Sequence, residues 1–279
     1  MGCFPGPTCD SHEFEYPRPE PPMTASPPSS RAPCQACHDH QDLFPFTMAF
    51  QPVVDLVNRR IDGYEALVRG PGGEGAPSVL AQVTEENLYA FDQACRTRAI
   101  RLASRLGLDR RLSINFLPNA VYNPRACIQA TLQAARESDF PLENLTFEIL
   151  ETEHLTETKH LQDIIGEYHH HGFKVALDDF PTGQSGLMRL ADLKPDIIKI
   201  DRALVQDCDR DQVRRTIIAG IIRIATDLGV KVVIEGVERL EEVRALHAVG
   251  GRFFQGFFFA RPLFEQIARD GDIDWPVMA

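Results

Sequence analysis

Short apolar runs alternate with longer amphipathic stretches over most of the chain, from about residue 45 onward. The short runs are rich in β-branched and aromatic residues, a composition that is typical of strands. Eight such runs occur, at residues 50–56, 61–68, 112–117, 145–150, 174–180, 197–200, 231–237 and 253–259. The pattern therefore predicts eight strands.

Between the later runs, apolar residues recur at helical spacing, which predicts helices at residues 80–106, 161–171, 211–228 and 240–249. Gly172, Gly229 and Gly250 follow three of these helices, where a C-terminal cap favours positive φ. Eight strands with intervening helices predict an α/β fold of the TIM-like β/α barrel type. Only a short turn separates the first two strands, so we expect the first strand to be antiparallel to the second.

Residues 1–44 differ in composition from the rest, because half of the 20 prolines lie before residue 46. We interpret this segment as a largely flexible extension and residues 45–279 as one domain. The extension contains Cys34, Cys37, His38 and His40 at a spacing that zinc ligands can have. No second pair of closely spaced cysteines follows, so zinc binding, redox sensing and free thiols in a loosely packed segment all remain open.

The formal net charge of −11 argues against binding in a DNA or RNA groove, which normally requires a basic surface. No apolar run approaches the roughly 18 residues that a membrane span needs, and the N-terminus lacks the pattern of a secretory signal. These features predict a cytoplasmic protein without a membrane segment, in which the seven cysteines are reduced.

Polar residues stand at the predicted C-terminal ends of successive strands, where barrel enzymes carry their chemistry. They are Glu65, Asn115, Glu148, Asp178, Asp179, Lys199, Glu235 and Gln255. A single carboxylate in an apolar strand could simply face solvent or pair with a lysine. Repetition at one end of the barrel is harder to explain in that way, because converging carboxylates repel one another unless a cation lies between them. Oxygen ligands favour Mg²⁺ or Mn²⁺ over zinc.

Several motifs, in order, resemble the EAL domain family of cyclic di-GMP phosphodiesterases over about residues 46–268. They are Tyr64-Glu65-Ala66-Leu67-Val68-Arg69, Asp178-Asp179-Phe180, Lys199-Ile200-Asp201, Glu235-Gly236-Val237-Glu238 and Gln255-Gly256. The stretch from Val79 to Asn123 also resembles EAL domains that are attached to blue-light sensors. A glycosidase barrel is a poorer match, because the set contains a lysine and too many carboxylates.

The resemblance implies hydrolysis of cyclic di-GMP to linear pGpG with two Mg²⁺ or Mn²⁺ ions per site, in a homodimer. The implied metal ligands are Glu65, Asn115, Glu148, Asp178 and Asp179. Glu235 is implied as the general base, and Lys199 as a second catalytic residue that holds the attacking water. The implied substrate contacts are Gln51, Leu67, Arg69 and Gln255. Glu151 and Glu238 are implied as supporting residues.

The segment 178–186 departs from the family pattern. Active relatives usually have glycine at the place of Pro181, tyrosine at Gln184 and serine at Gly186, and threonine at the place of Leu150. Pro181 restricts φ and lacks a backbone donor. Because ligands need a correctly placed supporting shell, the altered segment could attenuate activity. Two hypotheses therefore stand: an active phosphodiesterase, and a weak or inactive domain that acts as a cyclic di-GMP receptor.

Overall fold

The computed structural model describes residues 43–121, 123–150, 158–181 and 186–277. The described residues form nine strands in one sheet. The strands are β1 Thr47–Asp55, β2 Arg60–Arg69, β3 Arg111–Asn115, β4 Leu145–Leu150, β5 Lys174–Phe180, β6 Ile197–Ile200, β7 Lys231–Ile234, β8 Phe253–Phe254 and β9 Leu263–Phe264. The first eight close into a barrel, and β9 pairs with Ala49 and Phe50 of β1, on the edge whose Val54 and Asp55 pair with β8.

Strands β2 to β8 run parallel to their neighbours, whereas β1 is antiparallel to both β2 and β8. Thr47 at the start of β1 lies opposite Arg69 at the end of β2, and Gln51 lies opposite Glu65. The predicted TIM-like barrel with an antiparallel first strand is confirmed. Because the parallel strands end at the same side, this side forms the mouth of the barrel.

Nine α-helices surround the described part of the sheet. They are α1 Ala76–Leu80, α2 Leu88–Arg105, α3 Pro124–Cys127, α4 Gln129–Glu137, α5 Thr158–His170, α6 Gly186–Leu193, α7 Arg202–Val205, α8 Gln212–Asp227 and α9 Leu240–Ala248. Gly172, Gly229 and Gly250 follow α5, α8 and α9 with φ of +85°, +72° and +100°. Their predicted role at helix C-termini is confirmed.

The long helix predicted for residues 80–106 is wrong in its first third. The chain forms α1, then a turn, and the long helix begins only at Leu88. The Asn87 side chain accepts a hydrogen bond from the Thr84 amide and donates one to the Gln82 carbonyl. Asparagine side chains compete in this way with helical backbone bonding, and here the competition interrupts the helix.

Strands β1 and β3 end one and two residues before their predicted ends, and β7 and β8 end three and five residues before theirs. Strand β7 stops at Ile234, and Gly236 then turns the chain with φ of +68°. Strand β8 stops at Phe254, because Gly256 packs directly on the Val237 backbone, where an added Cβ would lie 2.1 Å from the carbonyl oxygen. Close backbone approach of this kind is open only to glycine. The apolar residues that follow Gly256 form a turn instead of continuing the strand.

The apolar residues form a large core cluster and a separate small cluster of Val53, Ala176, Ile197 and Val233. Phe147, Leu177, Ile198 and Phe254 are fully buried in the large cluster. No helix in the described ranges is both long and apolar enough to cross a membrane.

Candidate active site

The mouth of the barrel collects the polar residues that the sequence places at strand ends. Asn115 and Glu148 lie side by side in the β3–β4 pair, and Glu65 lies opposite Gln51 in the β1–β2 pair. Glu65, Glu148 and Lys199 are buried, whereas Asn115 is exposed at the rim. The predicted convergence of these side chains is therefore seen in the structure.

Lys199 lies at the centre of the cluster and contacts four carboxylates. Its Nζ atom is 2.7 Å from Glu148 Oε2, 2.8 Å from Glu235 Oε1, 3.3 Å from Glu65 Oε2 and 3.3 Å from Asp178 Oδ1. Burial on its own would lower the Lys199 pKa, but the carboxylates, Glu148 foremost, hold it well above the ordinary value. Lys199 is therefore a fixed ammonium group that is in contact with four carboxyl groups.

Burial, with the neighbouring carboxylates as a smaller cause, changes the protonation of the carboxyl groups. Burial raises the pKa of Glu148 to about 8, although Lys199 opposes the shift. Burial likewise raises the pKa of Glu235 well above its ordinary value. The cluster thus holds protons near neutral pH that a divalent cation would displace.

Hydrogen bonds orient Glu65 from two sides. Asn115 Nδ2 donates to Oε1 over 3.0 Å, and Gln255 Nε2 donates to Oε2 over 2.7 Å. Gln255 Nε2 also lies 3.2 Å from Gln51 Oε1, and Gln51 Nε2 donates to the Ala260 carbonyl. Gln255 Oε1 is buried and has no hydrogen-bond partner among the described residues. A ligand that carries a donor could therefore bind to this oxygen.

Asp178 and Asp179 end β5 in an unusual backbone conformation. Asp179 has φ of +54°, and its amide donates to Asp178 Oδ1 over 3.0 Å. Burial, then the charges of Asp178 and Asp201, raise the pKa of Asp179 to about 6. Asp201 also hydrogen-bonds to Asp179, and it caps α7 by accepting from the Ala203 amide. The left-handed backbone allows two consecutive carboxylates to serve the same mouth.

The donor set fits divalent cations. Oxygen atoms of Glu65, Glu148 and Asp178 lie within 4.8 Å of one another, and so do those of Asp178, Asp179 and Glu235. Asp178 belongs to both groups. Carboxylate oxygens without any sulfur or imidazole ligand favour Mg²⁺ or Mn²⁺.

A third acidic group has a different explanation. Asp207, Asp209 and Glu242 also lie close together, but Arg239 Nη2 is 3.1 Å, 2.5 Å and 3.1 Å from their respective carboxylates. An arginine already neutralises this group at the start of α9. We therefore interpret it as a structural ion-pair network.

A cavity of about 350 Å³ opens beside the cluster. It is lined by Gln51, Glu65, Asp201, Arg202, Glu235, Gly236, Glu238, Gln255, Gly256 and Phe257. Arg202 donates to the Gly236 carbonyl and pairs with Glu238 at 2.7 Å, which places Glu238 at the cavity rim. Asp201, Arg202 and Phe257 were not predicted from the sequence as site residues. Asp201 stood within a quoted motif, but its contact with Asp179 depends on the tertiary fold.

The remaining predicted site residues have less defined positions. Arg69 is half-buried at the end of β2, and its Nη1 donates to the Val68 carbonyl. Leu67 is also half-buried on β2. Glu151 and Gln184 lie outside the described residues, as do Cys34, Cys37, His38 and His40.

Comparison with known proteins identifies the family of this chain. A model of the EAL domain matches residues 39–262. The chain belongs to the EAL family. Its predicted membership is confirmed, and the motif residues Glu65 to Leu67 lie at the mouth end of β2.

Solved structures show the same EAL fold. A standalone EAL protein from Vibrio cholerae O395, in its c-di-GMP bound form, is 46% identical with a TM-score of 0.78. The match covers 81% of this chain and 95% of that protein. BlrP1 of Klebsiella pneumoniae, in a manganese and cyclic di-GMP complex, is 34% identical with a TM-score of 0.80, over 86% of this chain and 61% of BlrP1.

Curated EAL relatives are longer than this chain. The blue light- and temperature-regulated antirepressor BluF of Escherichia coli is 32% identical over 231 residues, which are 82% of this chain and 56% of BluF. The cyclic di-GMP phosphodiesterase RocR of Pseudomonas aeruginosa is 30% identical over 231 residues, which are 79% of this chain and 58% of RocR. This EAL domain thus spans a little over half of each of these two relatives. The resemblance to EAL domains of blue-light proteins is confirmed.

Proposed function

We propose that this EAL domain hydrolyses cyclic di-GMP to linear pGpG with two divalent cations, Mg²⁺ or Mn²⁺. The observation that carries the proposal is the convergence of four carboxylates on one buried lysine, with Asp179 close to two of them, Asp178 and Glu235. Structural neighbours that hold manganese or calcium together with cyclic di-GMP support it.

The cations would be held by Glu65, Asn115, Glu148, Asp178 and Asp179. When bound, they would neutralise charge on the phosphodiester and make a nearby water more acidic. The substrate would lie in the cavity beside the cluster, which Gln51 and Gln255 line. Leu67 and Arg69 at the end of β2 would be further contacts. Gln255 Oε1, which is buried without a partner in the described structure, would accept a hydrogen bond there.

Glu235 is the proposed general base. It lines the cavity, and its carboxylate would accept the proton of a water that attacks phosphorus. The bond between phosphorus and the ribose 3′ oxygen would break in line, and the released oxygen would take a proton to become the 3′ hydroxyl. The phosphate then remains on the 5′ oxygen, which gives linear pGpG. Lys199 would stabilise the charge that develops on the phosphoryl group.

The alternative function is a cyclic di-GMP receptor with little or no turnover. The altered residues Pro181, Gln184 and Gly186 favour this alternative, because they follow the ligand pair Asp178 and Asp179 directly in the sequence. Glu238, at the cavity rim, and Glu151 would support the site in either case.

One assay separates the two functions. Purified protein is incubated with cyclic di-GMP and Mg²⁺ or Mn²⁺, and pGpG is measured by chromatography, while calorimetry with Ca²⁺ present measures binding. Appearance of pGpG supports the enzyme. Binding without pGpG supports the receptor, and absence of both contradicts the proposal.

We further propose that the chain forms a homodimer through α8. The outer face of this helix exposes Val213, Ile217, Ile224 and Leu228, which recur at helical spacing and are 40% to 67% exposed. The spacing of these apolar residues is symmetric about the middle of the helix, near residue 220. An antiparallel copy would place Ile217 against Ile224 and Val213 against Leu228.

Two further features of α8 support a second copy as the partner. Gly220 lies at the middle of the helix, and an added Cβ there would meet no atom of a neighbouring element within 4 Å, so no contact in the described part of the chain requires glycine. A mid-helix glycine costs about 1 kcal/mol relative to alanine and permits close approach of another helix. The same antiparallel pairing brings Arg214 of one copy near Asp227 of the other, which is favourable.

Sedimentation analysis tests the dimer. Ile217→Glu should convert the protein to a monomer, because each copy would bury one carboxylate against the exposed apolar residues of the other copy's α8. Gln129→Glu on the exposed side of α4 is the matched control and should remain dimeric. A monomeric unaltered protein, or a dimeric Ile217→Glu variant, would contradict the assignment of α8.

A further inference from the structure

We propose that Asp92, on α2, is a positioning residue for Asn115. The proposal rests on the proposed function in that Asn115 is taken as a metal ligand. Asp92 does not reach the barrel mouth itself. It acts on the backbone that follows Asn115, from the helical layer behind the sheet.

The chain leaves β3 at Asn115, and the next two amides are bound to different elements. The Phe116 amide donates to the Glu148 carbonyl over 3.1 Å. The Leu117 amide donates to Asp92 Oδ1 over 3.0 Å. The first bond ties the strand end to the residue that is itself a proposed ligand, and the second ties it to α2.

The Asp92 carboxylate is held in place by a buried partner. Its Oδ2 lies 2.6 Å from Arg96 Nη2, and both side chains are at most 2% exposed. Burial on its own would lower the Arg96 pKa, but Asp92 reverses the shift and holds it above the ordinary value. Arg96 therefore stays charged, and it orients one carboxylate oxygen while the other remains available to the Leu117 amide.

The same arginine extends the connection to α5. Arg96 Nη1 lies 3.5 Å from both Thr131 Oγ1 and the Tyr168 hydroxyl. The Tyr168 ring packs at 4.7 Å on Phe147, which precedes Glu148, and at 5.3 Å on Phe116, which follows Asn115. A buried layer of α2 and α5 side chains thus lies directly behind two of the proposed ligands.

Asn115 also pairs with Glu148 across β3 and β4, and the strand ends directly after it. Asn115 is exposed at the rim, and its Nδ2 donates to Glu65 Oε1. Without an acceptor at residue 92, the Leu117 amide would lose its partner and the segment after Asn115 would shift toward solvent. We expect Asn115 to be presented less precisely to the cation, which weakens cation binding.

A matched pair of double variants isolates this acceptor. Both carry Arg96→Met, which removes the buried charge that would otherwise be left unpaired. One adds Asp92→Asn, which retains an acceptor oxygen, and the other adds Asp92→Leu, which has nearly the same shape and no acceptor. Thermal melts without metal should show both variants folded.

Calorimetric titration with Mn²⁺ is the readout. The Leu variant should bind Mn²⁺ at least about tenfold more weakly than the Asn variant, the scale of a supporting-residue effect. When Asn115→Ala is added to both, the difference should disappear. Equal Mn²⁺ affinities of the two double variants, or a difference that persists without Asn115, would overturn the proposal.

Hydrogen exchange on the unaltered protein provides a test that does not depend on folded variants. The Leu117 amide should exchange much more slowly than an unprotected amide, and fast exchange would show that Asp92 does not hold it. Failure of the unaltered protein to bind Mn²⁺ would instead contradict the proposed function. The two failures are thereby distinguished.

Discussion

Lys199 Nζ lies 2.8 Å from Glu235 Oε1 at the mouth of the barrel. Glu235 directly follows β7, and its amide donates to the Ile200 carbonyl over 3.0 Å, which fixes the backbone beside Lys199. The Glu235 side chain nevertheless remains 16% exposed toward the cavity, compared with 2% for Glu148. This carboxylate is therefore held by an ammonium group and still accessible to a water molecule.

Glu235→Gln should lower turnover of cyclic di-GMP by at least about 10²-fold, the usual contribution of a general base, while substrate affinity changes far less. The change keeps the shape of the side chain and removes its basicity. Rates at saturating substrate and calorimetric affinities measure the two effects. Glu241→Gln, at an exposed position on α9, is the control. Turnover near that of the unaltered protein would assign the base to another group.

Hydrolysis should require Mg²⁺ or Mn²⁺ and stop in excess EDTA, because the converging carboxylates need cations to neutralise them. Ca²⁺ should inhibit, since its larger and looser coordination sphere fits compact carboxylate groups poorly. Product formation is measured with each cation and with Ca²⁺ in competition with Mn²⁺. Full activity in EDTA would exclude metal-assisted hydrolysis.

Mn²⁺ affinity should rise between pH 6 and pH 8 and then level off. The pKa of Glu148 is raised to about 8 and that of Asp179 to about 6, so the metal-free site carries protons below these values. A cation must displace them, and each displaced proton changes the affinity by up to about tenfold per pH unit. Calorimetry in buffers of different ionisation enthalpy counts the released protons. Binding that is independent of pH over this range would show that the carboxylates are already ionised.

Restoring the family-like residues together, as Pro181→Gly, Gln184→Tyr and Gly186→Ser, should raise the rate at low metal concentration by roughly tenfold or more. Glycine relaxes the backbone restriction that proline imposes directly after β5. The test is a metal titration of both proteins at saturating cyclic di-GMP. Overlapping curves with equal maximal rates would show that the three substitutions are neutral.

Removal of residues 1–44 should leave the barrel folded and able to bind cyclic di-GMP, because β1 begins at Thr47. The Phe44 ring lies 5.6 Å from Phe91. A protein that lacks only residues 1–42 keeps this contact and should therefore be more stable than the protein that lacks residues 1–44, by about 1 kcal/mol, the scale of one aromatic pair. Thermal unfolding and ligand titration compare the two. An insoluble or non-binding shorter protein would place the domain boundary earlier.

The pattern of apolar residues predicted strand bounds correctly where no distant contact decides the end of the strand. Strands β4, β5 and β6 agree with their predicted bounds, because each apolar run is fully used by the barrel. The end of β8 could not be predicted, since the turn depends on Gly256 packing against Val237, which lies 19 residues earlier in the sequence. The apolar side chains after Gly256 look like a strand when read alone.

Site residues within the family motifs could mostly be predicted from the sequence. Residues that act through tertiary contacts could not. Glu65, Asp178 and Lys199 meet as expected. Asp201, Arg202 and Asp92 were missed, because each acts through a contact with a residue far away in the sequence. A charged residue on a predicted helix, such as Asp92, normally suggests a solvent-facing position, and only packing shows it to be 3% exposed.

The reversed direction of β1 has a mechanical consequence. The segment that enters this strand lies at the mouth side of the barrel, because Thr47 is opposite Arg69. There the Phe46 ring lies 5.2 Å from Phe91, the residue before Asp92 on α2. A tether attached ahead of Leu43 would therefore pull on the rim that carries the carboxylates and on α2. In a barrel whose first strand is parallel, the same load would fall on the opposite end, away from the carboxylates.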